Sequence, residues 1–176
     1  MRDMIRVSSA VLVPVYRDRS GEPHVILVVR GEYGRHGGQI ALPGGIHAPQ
    51  DADLRATALR EAKEEIGLDP RTVEVLEELP EVDTSTGYAI TPYLARLSSE
   101  PPAWQRQEKE IAEVLDVAVT DLAREDLRGE EIWHLPGWPG GRRVQFVRLG
   151  PHVLWGATYR ILDPLIPRLL AGEWTI

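Results

Sequence analysis

The chain has no cysteine, and that absence removes a disulfide framework, a thiolate metal site and a cysteine nucleophile together. It also suits a reducing compartment. Long apolar runs are missing as well. Nothing approaches the roughly 18 uninterrupted apolar residues that a membrane-spanning helix needs, and Met1-Arg2-Asp3-Met4-Ile5 lacks the apolar region of a secretory signal. The expectation is a soluble, cytoplasmic protein with no membrane partner. Nor is there a long basic run. With a formal charge of −7, a nucleic-acid groove that works by counterion release has little to build on. Small phosphorylated ligands stay open, because a few local cations or one bound metal can reverse the field inside a cleft.

What is present fits an ordinary globular protein: 176 residues, 43% hydrophobic and 27% charged, enough to bury a core unaided. No internal repeat and no long linker interrupts it, so residues 1–176 are expected to form a single domain. Residues 7–16 are mostly apolar and often β-branched and run into Arg17-Asp18-Arg19-Ser20-Gly21-Glu22-Pro23, which predicts a strand and then a turn. Another strand is predicted at 25–29, followed by a loop with Gly31, Gly34, Gly37 and Gly38. A brief strand at 39–42 should stop at Pro43-Gly44-Gly45. Residues 53–66 contain no glycine or proline, and Leu59, Ala62 and Ile66 recur at helical spacing, with Gly67 placed to end the helix. Strands are predicted at 73–79, 89–97 and 111–117 and a short helix at 121–127. Two extended pieces within 130–147 flank the turn residues 136–141. A last helix at 157–170 should be shortened or kinked by Pro164 and Pro167. Mixed strands with a few helices argue for one α/β or α+β domain.

The helix at 53–66 carries the chemistry. At about 100° per residue, Glu61, Glu64 and Glu65 fall within an arc of about 100°, beside the arc of Leu59, Ala62 and Ile66. One face packs and its neighbour presents three carboxylates. Like charges at i, i+4 repel by a few tenths of a kcal/mol, so Glu61 and Glu65 oppose the helix unless a cation lies between them. Hard oxygen ligands in this number suit Mg²⁺ or Mn²⁺. A solvated acidic face is the plainer alternative for any glutamate-rich helix.

Pro43-Gly44-Gly45 ahead of the helix and Arg60-Glu61-Ala62-Lys63-Glu64-Glu65-Ile66-Gly67-Leu68 within and after it resemble the signature of the Nudix hydrolase family, Gly-x5-Glu-x7-Arg-Glu-aliphatic-x-Glu-Glu-x-Gly-aliphatic. Gly45 takes the first glycine. Asp51 stands where the first glutamate belongs, and eight residues rather than seven separate it from Arg60. The resemblance implies a mixed β-sheet sandwiched between helices, divalent cations on Glu61, Glu64 and Glu65, and an Arg60 that orients the glutamates. It leaves the role of Asp51 open.

The stretched box, with Leu27-Val28-Val29-Arg30 and 35–45 upstream and 84–93 and 152–158 downstream, resembles the coenzyme A pyrophosphatase subgroup. That resemblance implies hydrolysis of coenzyme A or its derivatives to 3′,5′-ADP and 4′-phosphopantetheine. Such a substrate needs cations besides the metal, and Arg30 and Arg35 are the candidates, with Gly44 and Gly45 at the diphosphate. Trp133, Trp138 and Trp155 are candidates to stack adenine or, more often for tryptophan, to anchor a core or interface. For the general base, the box offers Glu65; Glu110 is the outside candidate and Glu113 a weaker one. ADP-ribose, a dinucleotide or a nucleoside triphosphate is the alternative substrate, and a non-catalytic nucleotide-binding module the alternative class. The sequence leaves a homodimer open.

Overall fold

The computed structural model describes residues 6–31, 37–98 and 103–176. The first apolar run forms β1 (Val7–Arg17) and the second β2 (Pro23–Arg30). Both strands are buried on both faces. Val13, Val15, Val25, Leu27 and Val29 belong to one core, while Leu12, Tyr16, Ile26 and Val28 belong to the other. Covering from two sides is why these stretches read as continuous apolar runs rather than as alternation.

β1 pairs in parallel with β7 (Tyr88–Leu97), which pairs in turn with β5 (Val73–Glu78) and the short β6 (Val82–Asp83). β2 pairs with β8 (Ile111–Ala118) along its length. β1 and β2 meet only at Val15–Arg17 against Pro23–Val25 and then diverge. Into the gap fit β3 (Ile40–Ala41), which pairs with β2, and β4 (Gly44–Ile46), which pairs with β1. Pro43-Gly44-Gly45 was expected only to stop a strand. Instead Leu12 N–H donates to the Pro43 carbonyl at 2.8 Å and the two glycines open a new strand, because nothing larger passes this close to β1: a Cβ at Gly44 would lie 2.3 Å from the Ala10 carbonyl oxygen.

One face of the mixed sheet is covered by α1 (Leu54–Ile66), through Ala58, Ala62 and Ile66. The other is covered by α2 (Val119–Ala123), α3 (Gly156–Leu162) and α4 (Ile166–Leu170), through Val119, Leu122, Leu162 and Leu169. The sheet is thus sandwiched between helices, the α+β arrangement expected. Two expectations change in detail. The predicted helix at 121–127 starts two residues earlier and breaks at Arg124, which turns extended before a single 3₁₀ turn at Glu125–Leu127. The predicted helix at 157–170 is two, since Pro164 has no N–H to continue the ladder while Pro167 sits in the first turn of α4, where none is needed.

The two extended pieces near 130–147 form β9 (Arg128–Trp133) and β10 (Arg142–Leu149), and β11 (His152–Trp155), which the sequence did not suggest, completes a second, three-stranded antiparallel sheet. No helix among the described residues is long and apolar enough to cross a membrane.

Candidate active site

The helix that carries the glutamates is fixed at both ends. At its start the Asp53 side chain accepts from Ala56 N–H at 2.7 Å, which satisfies one donor that the first turn leaves unpaired. At its end Gly67, at φ +73°, takes the left-handed conformation open to glycine and donates to the Lys63 carbonyl. Two more of the last carbonyls are satisfied from outside: Gln105 N–H donates to Ile66 at 3.2 Å and Gln107 N–H to Glu65 at 2.8 Å. The segment that carries Glu110 is therefore fastened to the helix beside Glu65. Gly31 N–H closes the other side on the Glu110 carbonyl at 2.7 Å.

Glu65 is only 4% exposed. Its Oε2 accepts the Gly44 N–H at 3.0 Å, so the glycine turn and the helix meet at this carboxylate. Burial pushes the Glu65 carboxyl up to about 7; the Gly44 N–H and the Arg30 charge pull the other way, and Glu61 and Glu110 add to the rise. Those influences place Arg30 and Glu110, from two other elements, within electrostatic reach of Glu65. Glu61 is also raised, chiefly by burial, with Arg60 opposing. Glu61 fills the space where Gly45 lacks a side chain: a Cβ there would be 2.5 Å from the Glu61 Cδ and Oε1. Glu64 is half exposed.

Arg60 is the hub. Its Nε and Nη2 fork Asp51 at 2.8 and 3.0 Å, and its Nη1 lies 2.9 Å from Glu61 Oε1 and 3.1 Å from Glu64 Oε2. Asp51 also accepts from Ala48 N–H at 3.0 Å and Thr57 Oγ at 2.9 Å. Both its oxygens are engaged, and the Arg60 guanidinium holds its carboxyl well below the usual carboxylate range. Asp51, which departs from the family pattern, thus anchors Arg60, and Arg60 reaches Glu61 and Glu64. Sequence reasoning missed Thr57, fully buried between Asp51 and His47 Nδ1. A lone threonine on a packed helix face carries no signal of that role.

Of the predicted site residues, Arg30, Gly44, Gly45, Arg60, Glu61, Glu64, Glu65 and Glu110 converge on this region. Arg35 lies outside the described residues. Glu113 is turned away, with His152 Nε2 at 2.9 Å from its carboxylate. The three glutamates do not point their oxygens at one point: Glu65 faces the Gly44 N–H, and Glu61 and Glu64 face Arg60. Among the described residues the set whose ligand atoms do converge is Asp18 and Glu22, in the turn after β1, with His24 at the start of β2. There Asp18 receives Ser20 and Glu22 backbone N–H groups and His24 meets Asp116, which a turn explains without an ion. The donor set on α1 nevertheless suits a hard divalent cation. Three carboxylates lie on adjoining positions of one helix, two of them at least partly buried, and hard oxygen donors of this kind are what such a cation takes.

Residues 6–135 match the NUDIX domain family model. The chain belongs to that family. An uncharacterized Nudix hydrolase, NudL, of Salmonella paratyphi B is 41% identical over 110 residues, 62% of this chain; the chain spans 56% of the length of that relative. Among solved structures, the Nudix hydrolase RenU of M. smegmatis superposes with a TM-score of 0.66 over 97% of this chain and 89% of its own, at 19% identity. The NUDIX domain of Shewanella oneidensis NrtR, solved with ADP ribose, gives 0.53 over 67% and 76%, at 21% identity. At these identities the structures speak for the fold.

Proposed function

We propose that the protein is a divalent-metal-dependent pyrophosphohydrolase that cleaves the diphosphate linkage of a nucleoside diphosphate derivative, with coenzyme A or a derivative as substrate. The observation that carries the reading is the meeting of Gly44 N–H with the buried Glu65 on a helix that also presents Glu61 and Glu64. Loss of these glutamates would favour a binding module without catalysis, and Glu61, Glu64 and Glu65 are all present.

Glu61, Glu64 and Glu65 would hold Mg²⁺ or Mn²⁺, which supplies positive charge against the diphosphate and a water acidic enough to attack phosphorus. Arg60, itself clamped by Asp51, sets the rotamers of Glu61 and Glu64. Gly44 and Gly45 keep the backbone slim enough for a diphosphate to approach. Arg30, near Glu65, takes diphosphate oxygens, and Arg35 is assigned to the same substrate from the sequence. Glu65 can take up a proton at Oε1, the oxygen its Gly44 contact leaves open, while Glu110 on its fastened segment is the second candidate base. Packing of Val147 and Leu154 from the small sheet with Val13 and Leu27 from the large one supports a single domain over residues 1–176.

The test is product formation by the full chain. With Mg²⁺ or Mn²⁺, coenzyme A should yield 3′,5′-ADP and 4′-phosphopantetheine, faster than ADP-ribose, a dinucleoside polyphosphate or a nucleoside triphosphate is cleaved. Preference for ADP-ribose would move the substrate, and no hydrolysis of any of them would sink the activity.

A further inference from the structure

The three-stranded sheet has one face in the core and one outside it. Val147 and Leu154 point into the main core. Strand alternation puts Trp133, Arg142, Phe146 and Trp155 on the opposite face, where register aligns Trp133 with Arg142 and Phe146 with Trp155. None of these four belongs to either core cluster. Trp133 stacks on Phe146 at 5.6 Å and meets Trp155 edge-on at 5.3 Å, which makes a small local core. Trp138, from the hairpin tip, adds to it only at a margin, edge-on to Trp155 at 6.1 Å.

The arginines of this sheet single out one position. Arg128 pairs with Asp163, Arg143 with Glu130 and Arg148 with Glu131. Arg142 has no carboxylate among the described residues; its guanidinium lies 5.0 Å from the Trp138 ring centroid and is exposed. An arginine stacked on an indole keeps its N–H edges open, in the planar fork that matches a phosphate. The small sheet is tied to the large one at the strand that leads into the Gly44 turn. β11 packs against β3, and Thr158 Oγ, just past Trp155, donates to the Ile40 carbonyl at 3.4 Å. Ile40 stands four residues before Gly44, whose N–H meets Glu65, so the two sheets are joined along the strand that leads to the glutamates.

We propose that Trp138, Trp155 and Arg142 receive the base end of the substrate: the indoles take the purine ring, and Arg142 takes a phosphate carried on the ribose. The inference rests on the pyrophosphohydrolase reading, yet its test reads binding. Stacking on an aromatic side chain is worth about five- to 150-fold in affinity. Calorimetric titration of the full chain in chelator with adenosine 3′,5′-bisphosphate and with AMP should show the bisphosphate binding more tightly. Trp138→Leu should weaken both at least fivefold. Arg142→Gln should erase the preference for the bisphosphate, and Arg143→Gln should change neither. In turnover, Arg142→Gln should raise KM for coenzyme A with kcat within about twofold and leave dephospho-coenzyme A unaffected. Unchanged affinities in both Trp138→Leu and Arg142→Gln would overturn the proposal. So would a Trp138→Leu variant that loses self-association and keeps its nucleotide affinity, since the cluster would then be a protein interface. Should the wild type bind the bisphosphate through Arg142 but hydrolyse no diphosphate, the base site stands and the activity falls.

Discussion

Arg60 grips Asp51 with a two-pronged contact, 2.8 and 3.0 Å, from a position one helical turn before Glu64, whose carboxylate the same guanidinium touches. The box glutamates are thus oriented from a residue outside the helix. Asp51→Asn removes the charge-assisted fork and leaves the Arg60 guanidinium with Glu61 and Glu64 as its anionic partners. Such contacts are worth about 1.5–3 kcal/mol, so a drop of that order in denaturant-derived stability is expected, with kcat reduced and the metal concentration for half-activity raised. Unchanged metal dependence would mean that Asp51 serves the loop alone.

Gly45→Ala places a Cβ 2.5 Å from the Glu61 Cδ, so either the strand or the carboxylate must move. Overpacking of this kind costs about 1–3 kcal/mol. Turnover should fall more than stability does, because Glu61 is the part that can shift. A variant with native kcat would show that the position of Glu61 is immaterial.

Glu65→Gln and Glu64→Gln each remove a charge while keeping volume. Turnover should drop by orders of magnitude for both, with unfolding midpoints near the wild type or, for Glu65, above it. Wild-type activity should vanish in excess chelator and return with Mg²⁺ or Mn²⁺; hydrolysis that persists in chelator would exclude the metal mechanism.

The pH dependence has a definite sign. In the metal-free protein the Glu65 carboxyl is raised from 4.5 to about 7, so between those values the folded state binds more protons than the unfolded one. Stability that Glu65 leaves intact below about pH 4.5 is then lost as pH rises through 7, by up to ~3 kcal/mol. Subtracting the profile of Glu65→Gln isolates this contribution from Glu61, which is shifted in the same direction. Saturating Mg²⁺ should flatten the difference, and a flat difference without metal would contradict the burial argument.

Arg30→Ala should weaken coenzyme A and dephospho-coenzyme A alike, since its charge acts near Glu65 and the diphosphate. A loss confined to coenzyme A would place the 3′-phosphate at Arg30 and count against Arg142.

Local spacing determined a good deal. The helix at 53–66, its end at Gly67, the strands of the mixed sheet other than β4 and β6, and the spacing of the three glutamates follow from periodicity and from glycine and proline placement, all properties of neighbouring residues. What the sequence could not specify needed contacts between residues far apart in the chain. The parallel pairing of β1 with β7 joins segments about eighty positions apart, and no local pattern encodes a register at that range. Pro43-Gly44-Gly45 looked like a stop because its glycines are poor strand formers, yet the close approach to Ala10 and Glu61 makes them the only residues that fit a strand there. The tertiary structure alone decided that Asp51, one residue out of step with the family pattern, clamps Arg60, and that Glu65 among three similar glutamates is the buried one with a raised pKa. A carboxylate's proton affinity depends on which backbone N–H, which charge and how much water surround it, and those are settled only when the sheet, the helix and the segment that carries Glu110 close around it.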